Sequence, residues 1–270
     1  MNPSWYYARG ESGEQKTVKF YKNDTEREYN KNLSEKRDVL EENGWIPLPD
    51  DERCIGYRYL FNPSDPVIDD WVELSYNINS HGFRSEEMPT EKKPRSIITV
   101  GCSMTFGLGM PIGQIWPTIV GNTLRQRPYN LGVPAGSLDT AFRVLFAWLP
   151  KIRPSHVFLL VPPGVRYETH THSFGISNSV VDNMVPVAMR FEHEDEWILH
   201  REKTMRAIQS LCDQFETPLT WLDSDIIDNT HEIGRYDVAR NLTHPGRNCH
   251  IWIAMNMLKK AGYEWNINKK

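Results

Sequence analysis

The sequence lacks the features that define several common classes of protein. It has no run approaching the roughly 20 apolar residues that cross a bilayer, and its first residues, MNPSWYYARGESGEQ, hold no basic segment followed by an apolar stretch. We therefore expect no membrane span, no export signal and a cytoplasmic location. An excess of basic residues is missing too, since the formal net charge is -4. The sequence thus predicts no nucleic-acid partner.

Cysteine is scarce and scattered. The cysteines are Cys54, Cys102, Cys212 and Cys249. Because none of them forms a C-x-x-C pair, the pattern of a zinc site or a disulfide framework is absent, and we expect reduced thiols. His170 and His172, with the E-H-E run at 192–194, are ligand types found at metals. No third ligand follows at a diagnostic spacing, so this pattern favours a polar loop and no metal site.

The first third of the chain differs in composition from the rest. Residues 10–53 are strongly polar, and the stretch 25–44 is typical of an exposed helix that ends at an Asn-Gly pair. Residues 55–84 mix aromatic and β-branched residues with proline and asparagine, as short strands and turns do. We interpret residues 1–75 as an amino-terminal extension and residues 76–270 as the main domain.

Strand and helix patterns alternate from residue 97 onward. The sequence predicts strands at 97–100, 129–133, 156–163 and 218–223, and helices at 115–127, 138–152, around 205–215 and around 251–258. This order predicts a three-layer α/β/α fold with a parallel, flavodoxin-like sheet, in which ligands bind beyond the carboxyl ends of the strands. The connection at 164–196 is long for a compact domain, and we interpret it as lid-like.

Ser103 follows the first of these strands directly. A serine hydroxyl becomes a nucleophile when a base lies within hydrogen-bond reach and donors hold the oxyanion that develops on the attacked carbonyl. His244, in a loop before the last helix, is a candidate base, and the turn at 130–137 has backbone N–H groups at a helix start. Taken singly, Ser103 is more often a helix N-cap and His244 a surface histidine. Their order along an α/β pattern favours a catalytic role for both residues.

The first block of this pattern carries a family resemblance. Residues 101–107, G-C-S-M-T-F-G, resemble the G-D-S-x-T-x-G block of the SGNH, or GDSL, hydrolases, with Cys102 in place of aspartate. The segment at 77–85, N-I-N-S-H-G-F-R-S, is similar to one that precedes this block in many members. The resemblance implies a serine esterase with Ser103 as the nucleophile. We expect Cys102, beside it on the strand end, to point into the core.

Two further blocks extend the resemblance. The turn at 130–137 is similar to the second block, whose glycine gives a backbone oxyanion donor; spacing favours Gly136 over Gly132, with a one-residue ambiguity around Ala135. Residues 241–245, N-L-T-H-P, resemble the last block, D-x-x-H-P, which makes His244 the general base. The resemblance covers about residues 76–261.

Two departures from the family pattern bear on the chemistry. Where the third block has an asparagine that serves the oxyanion, this chain has V-P-P-G at 161–164, and proline has no N–H to offer. Arg166 is a candidate substitute donor. Where the last block has its aspartate, this chain has Asn241, so Asp237, Asn241 or a backbone carbonyl remain as alternatives for orienting His244.

These residues predict a serine hydrolase that acts on an ester, with acyl or acetyl groups on carbohydrate or lipid as its substrate class. No metal or organic cofactor is required in this mechanism. The altered third and last blocks support an alternative, a catalytically weakened or inactive binding protein of the same fold. A metal-dependent hydrolase using the histidine-rich loop is a third hypothesis.

Overall fold

The computed structural model describes part of the chain. The described residues are 8, 16–20, 46–47, 59–60, 74–89, 95–162, 165–168, 173–176, 194–224, 239 and 244–263. The predicted polar helix at 25–44, the histidines at 170 and 172, and the candidates Asp237 and Asn241 lie outside the described residues.

The strands and helices follow one another in this order. The strands are β1 (Lys16–Phe20), β2 (Ile46–Pro47), β3 (Tyr59–Leu60), β4 (Leu74–Ile78), β5 (Ser96–Val100), β6 (Arg127–Asn130), β7 (His156–Val161), β8 (Val165–Glu168), β9 (Ser173–Ile176) and β10 (Leu219–Asp223). The helices are α1 (Ser103–Phe106), α2 (Trp116–Leu124), α3 (Leu138–Ile152), α4 (Glu194–Gln214) and α5 (Arg247–Lys260). A 3₁₀ turn at Ile112–Gln114 precedes α2.

Four parallel strands form the central sheet, in the order β10-β7-β5-β6. The first of them along the chain, β5, is an inner strand: Ile98 lies opposite Tyr129 of β6 on one side and Val157 of β7 on the other. Because the chain steps outward to β6 and then crosses back over β5, the order is that of a flavodoxin-like sheet. This confirms the predicted fold class.

Helices cover both faces of the sheet. The helices α3 and α4 pack on one face around a core that includes Leu145, Leu149 and Ile208. The helices α2 and α5 pack on the other face, around a core that includes Trp116 and Ile253. β5 and β7 are buried along their whole length, and accordingly their sequences, S-I-I-T-V and H-V-F-L-L-V, carry apolar residues on both faces and do not alternate strictly with polar ones.

The predicted element bounds shift where backbone hydrogen bonds extend or end a strand. The second strand was expected at 129–133, but β6 begins at Arg127, whose N–H donates to the carbonyl of Arg95, and ends at Asn130. In α5 the buried residues are Cys249, His250, Ile253, Ala254, Met257 and Leu258. The expected positions Ile251 and Met255 are half-buried beside this face.

The connection predicted as lid-like carries secondary structure of its own. β8 and β9 pair antiparallel, with Arg166 opposite Gly175, and α4 then begins at Glu194. A second antiparallel pair joins β1 to β4 ahead of the main sheet. None of the helices in the described part of the chain combines the length and the apolar character that a bilayer crossing needs.

Candidate active site

Ser103 stands at the carboxyl end of β5, on the first turn of α1. Gly101 makes this sharp entry possible, because its φ of 154° is rare for residues with a side chain and a methyl group there would lie 2.6 Å from the carbonyl oxygen of Leu160. Cys102, beside the serine, is fully buried in the core between the sheet and α5, which confirms its predicted orientation. The Ser103 Oγ lies 4.0 Å from the Cys102 Sγ, so the two side chains stay close at this turn.

His244 meets Ser103 across the edge of the sheet. Its Nε2 lies 2.8 Å from the Ser103 Oγ, a hydrogen-bond distance between residues at opposite ends of the domain. The carbonyl of His244 accepts a 2.7 Å hydrogen bond from the N–H of Ala239, which holds this loop in place just before α5. The structure therefore brings together the two residues that the first and last blocks single out.

The environment of His244 keeps its imidazole neutral. Burial, and then the positive charge of Arg166, lower the pKa of His244 to about 4. At neutral pH the ring is therefore uncharged, so Nε2 can accept a proton from the Ser103 hydroxyl. Both side chains considered for orienting this ring, Asp237 and Asn241, lie outside the described residues, and their role stays a prediction.

The second block forms a tight turn between β6 and α3. The N–H of Gly136 donates a 2.8 Å hydrogen bond to the carbonyl of Val133, and the N–H of Gly132 donates to the Asn130 side chain at 3.0 Å. Both glycine N–H groups are therefore used inside the turn. Ala135 has a φ of 59°, and a residue with positive φ after proline is typical of a type II turn.

The backbone N–H of Ala135 is a candidate hydrogen-bond donor at this turn. In a type II turn the N–H of the second central residue points away from the closing hydrogen bond, and the N–H of Ala135 has no acceptor among the described residues. The N–H of Ser103 has none in this part of the chain either. Sequence spacing alone could not separate Ala135 from Gly136 as the candidate oxyanion donor. The signal that could have singled out Ala135 is its place after a proline, at the turn position that normally holds glycine.

The same block also fixes the nucleophile's helix. The Asn130 Nδ2 donates a 2.9 Å hydrogen bond to the carbonyl of Thr105. A methyl group on Gly132 would lie 2.8 Å from the carbonyl carbon of Thr105, so the backbone beyond β6 packs directly on α1. Gly132 thus serves close packing, which is the plainer of the two roles that its sequence position suggests.

Arg166 lies beside this turn and near the base. Its Nη1 donates a 3.3 Å hydrogen bond to the carbonyl of Gly136, and its charge acts on His244. The structure therefore brings Arg166 to the candidate site. Its predicted role as a substitute oxyanion donor stays a prediction, since this hydrogen bond goes to the turn's carbonyl.

Arg84 supports the segment that follows α1, and sequence reasoning did not single it out. The side chain is 2% exposed, and its guanidinium donates to the carbonyls of Phe106, Gly107 and Met110 at 3.2, 2.7 and 2.8 Å. The Tyr76 ring lies 4.3 Å below it, and the Tyr76 hydroxyl accepts from the N–H of Gly109 at 2.7 Å. Arg84 belongs to the segment 77–85, noted only for its resemblance, and Tyr76 directly precedes that segment.

Metal-type ligands do not gather in the described part of the chain: no group of three or more His, Cys, Asp or Glu side chains there could hold an ion. Cys102, Cys212 and Cys249 are buried, and no disulfide joins them to one another. Burial raises the pKa of Cys212 to about 12, so it carries no thiolate at neutral pH.

Comparisons with known proteins find similarity among solved structures. No family model matches the chain, and no curated protein matches it. The psychrotrophic esterase EstA from Pseudoalteromonas sp. is 12% identical, covers 62% of this chain and 97% of its own, and gives a TM-score of 0.36. The acetylxylan esterase Axe2 from Geobacillus stearothermophilus is 11% identical, covers 67% of this chain and 100% of its own, and gives a TM-score of 0.37.

A third solved structure carries the name of the family that the sequence blocks resemble. This protein from Desulfitobacterium hafniense, named for the lipolytic G-D-S-L family, is 14% identical, covers 59% of this chain and 95% of its own, and gives a TM-score of 0.33. What the chain does must be argued from its own residues.

Proposed function

We propose that the protein is a serine hydrolase that cleaves ester bonds. The observation that carries the proposal is the 2.8 Å contact between the Ser103 Oγ and the Nε2 of a half-buried, neutral His244. A hydroxyl paired with a neutral imidazole at a strand's carboxyl end is the arrangement that activates serine. A buried serine that only capped a helix would need no such partner.

The reaction proceeds through an acyl-enzyme. Ser103 attacks the ester carbonyl while His244 takes its proton, and His244 then returns that proton to the leaving alcohol. A water molecule, deprotonated by the same imidazole, releases the acyl group in the second half. The N–H groups of Ser103 and Ala135 hold the oxyanion, because the N–H of Gly136 is engaged by Val133.

The proposed substrate class is the one that the sequence predicts, an acyl or acetyl ester of a carbohydrate or lipid alcohol. The mechanism uses neither a metal nor an organic cofactor. The group that orients the Nδ1 side of the ring is Asp237, Asn241 or a backbone carbonyl, and in the Ser-His-Asp serine proteases an acid at this place is worth about four orders of magnitude over an amide. An Asn241 partner therefore gives a slow enzyme, and Asp237 a faster one.

Covalent labelling tests the proposal. A fluorophosphonate probe is applied to wild type, Ser103→Ala and His244→Gln, with Ser224→Ala as a control at another buried serine, and the labelled peptide is mapped by mass spectrometry. We expect labelling at Ser103 in wild type and in Ser224→Ala, and none in the other two. A folded wild type that stays unlabelled while a known hydrolase reacts would favour the non-catalytic binding protein.

A further inference from the structure

A pocket opens next to the candidate site, between the end of β7 and the first turns of α4. It is a shallow site, and its empty space of about 270 Å³ includes the open solvent at its mouth. Leu138, Val161 and Pro162 form an apolar wall, and Arg166 and Trp197 face it. Because β7 pairs directly with β5, this wall stands at the same sheet edge as Ser103. Arg166 links the two places, since it also hydrogen-bonds the turn at Gly136.

Among the described residues, the charged side chains near the pocket lie beside a polar or oppositely charged side chain, with one exception. Asp139 lies 3.0 Å from His200, Glu168 lies 2.9 Å from Arg143, and Asp223 pairs with Arg201. Each of these three described carboxylates therefore has a side-chain partner, an arginine for two of them and a histidine for the third.

Arg166 is the exception. Among the described residues its guanidinium has no carboxylate partner, and its hydrogen bond to a neutral carbonyl is long at 3.3 Å. A guanidinium presents several N–H donors in one plane, and a single carbonyl leaves most of them unused. A half-buried cation in this state, facing a pocket, is a binding group for an anion.

We propose that this pocket binds a carboxylate carried by the ester substrate, with Arg166 as the residue that recognises the charge. The inference rests on the proposed ester hydrolysis and narrows its substrate to anionic esters. Arg166 takes the carboxylate through its planar donors, while Trp197 and the apolar wall contact the carbon frame of the substrate.

Binding at this place has a consequence for the base. The charge of Arg166 contributes to the low pKa of His244, so a carboxylate that neutralises Arg166 removes part of that effect. The imidazole becomes a stronger base when an anionic substrate is bound. Substrate recognition and activation of Ser103 are in this way coupled through one side chain.

The test compares matched esters that differ in charge. One pair carries the charge on the alcohol side, 4-acetoxybenzoate against methyl 4-acetoxybenzoate; the other carries it on the acyl side, mono-4-nitrophenyl adipate against 4-nitrophenyl hexanoate. The kcat/KM ratio of each pair is measured in wild type, Arg166→Gln and Arg166→Lys. Arg206→Gln, which removes an exposed arginine on the same helix as Trp197, is the matched control.

We expect wild type to favour the anionic ester of at least one pair, and Arg166→Gln to lower that ratio about tenfold or more, the size of a lost charge-assisted hydrogen bond. Arg166→Lys keeps the charge and retains part of the preference, and Arg206→Gln behaves as wild type. Ratios that are the same in wild type and Arg166→Gln for both pairs would overturn the proposal.

A binding measurement separates this inference from the proposed function. Calorimetry on Ser103→Ala, with and without Arg166→Gln, measures binding of the four intact esters and needs no hydrolysis. A preference for binding anionic esters that depends on Arg166 supports the proposed binding pocket, whether or not wild type cleaves any of the esters. If wild type cleaves none of them, that result counts against the proposed hydrolase and leaves the binding pocket in place. Hydrolysis by wild type without that preference in either assay retains the hydrolase and rejects the pocket.

Discussion

The guanidinium of Arg84 donates a 2.7 Å hydrogen bond to the carbonyl of Gly107, four residues beyond Ser103. Two more carbonyls, of Phe106 and Met110, accept from the same group, so one side chain satisfies a whole loop of backbone acceptors. Burial lowers the pKa of Arg84 to about 10, which still leaves it charged at neutral pH. The loop that follows Ser103 and α1 is therefore built around a buried cation.

Replacing Arg84 tests this arrangement. We expect Arg84→Met to lower the free energy of unfolding by about 3 kcal/mol, because buried carbonyls lose their donor. Arg84→Lys, which keeps a charge but lacks the planar fork, loses less. Urea unfolding measures both, with Arg206→Met as a control at an exposed position. Equal stability of Arg84→Met and wild type would show that the carbonyls find other donors.

Gly132 gives a second prediction, about packing. A methyl group there meets the backbone of Thr105 at 2.8 Å, so Gly132→Ala forces β6 and α1 apart. We expect a loss of about 2 kcal/mol or more in unfolding free energy and slower probe labelling of Ser103. Gly113→Ala is the matched control, since a methyl group at Gly113 meets nothing within 4 Å. If both variants match wild type, the predicted crowding is absent.

The pH dependence of hydrolysis reports on His244. The base must be neutral, and its pKa is about 4, so kcat/KM for a neutral ester should stay level from neutral pH down to about pH 4 and fall below it. Arg166→Gln removes the smaller of the two causes, so the acid limb moves to higher pH but stays below the ordinary value for histidine. A wild-type limb near that ordinary value would contradict the assigned environment.

Because His156 and His250 are both buried, we expect the protein to lose stability in acid. His156 contacts the Thr220 Oγ1 at 2.8 Å, His250 accepts from the N–H of Trp116 at 3.1 Å, and burial lowers their pKa values to about 4 and about 3. The unfolded chain binds protons at these groups first, so stability falls as pH drops from about 6.5 toward 4, by about 1.4 kcal/mol per pH unit for each.

A single substitution isolates one of these groups. In His156→Phe the new ring can still stack on Phe158, so we expect the fold to be kept. The slope of the unfolding free energy against pH should become shallower by the contribution of one histidine. Urea unfolding at several pH values between 5 and 7 measures the slopes. Unchanged slopes would mean that His156 is protonated in the folded protein.

The sequence allowed the fold and the pairing of Ser103 with His244 to be predicted for a physical reason. Buried parallel strands are continuous apolar runs, and helices repeat at their own period, so their alternation is visible without any structure. Ser103 and His244 were identified because short blocks occur in the right order around that alternation. The 2.8 Å contact between them agrees with this interpretation.

Arg84, Ala135 and the charge balance around Arg166 were harder to foresee. Arg84 bonds main-chain carbonyls 22 to 26 residues away, and carbonyls have no sequence identity to recognise. Ala135 matters through its φ, which the sequence suggests only by the proline before it. That Arg166 has no carboxylate partner among the described residues can be recognised only once the ion pairs of the neighbouring side chains are known.

The contact between Ser103 and His244 spans 141 positions of the chain. During synthesis the serine emerges early, yet His244 follows only after the strands of the sheet and the helices α1 to α4 have been made. A growing or partly assembled chain thus carries an unactivated hydroxyl, because loop closure over such a distance waits for the sheet to assemble. Reactivity of Ser103 is for this reason a measure of complete folding, available before any substrate is known.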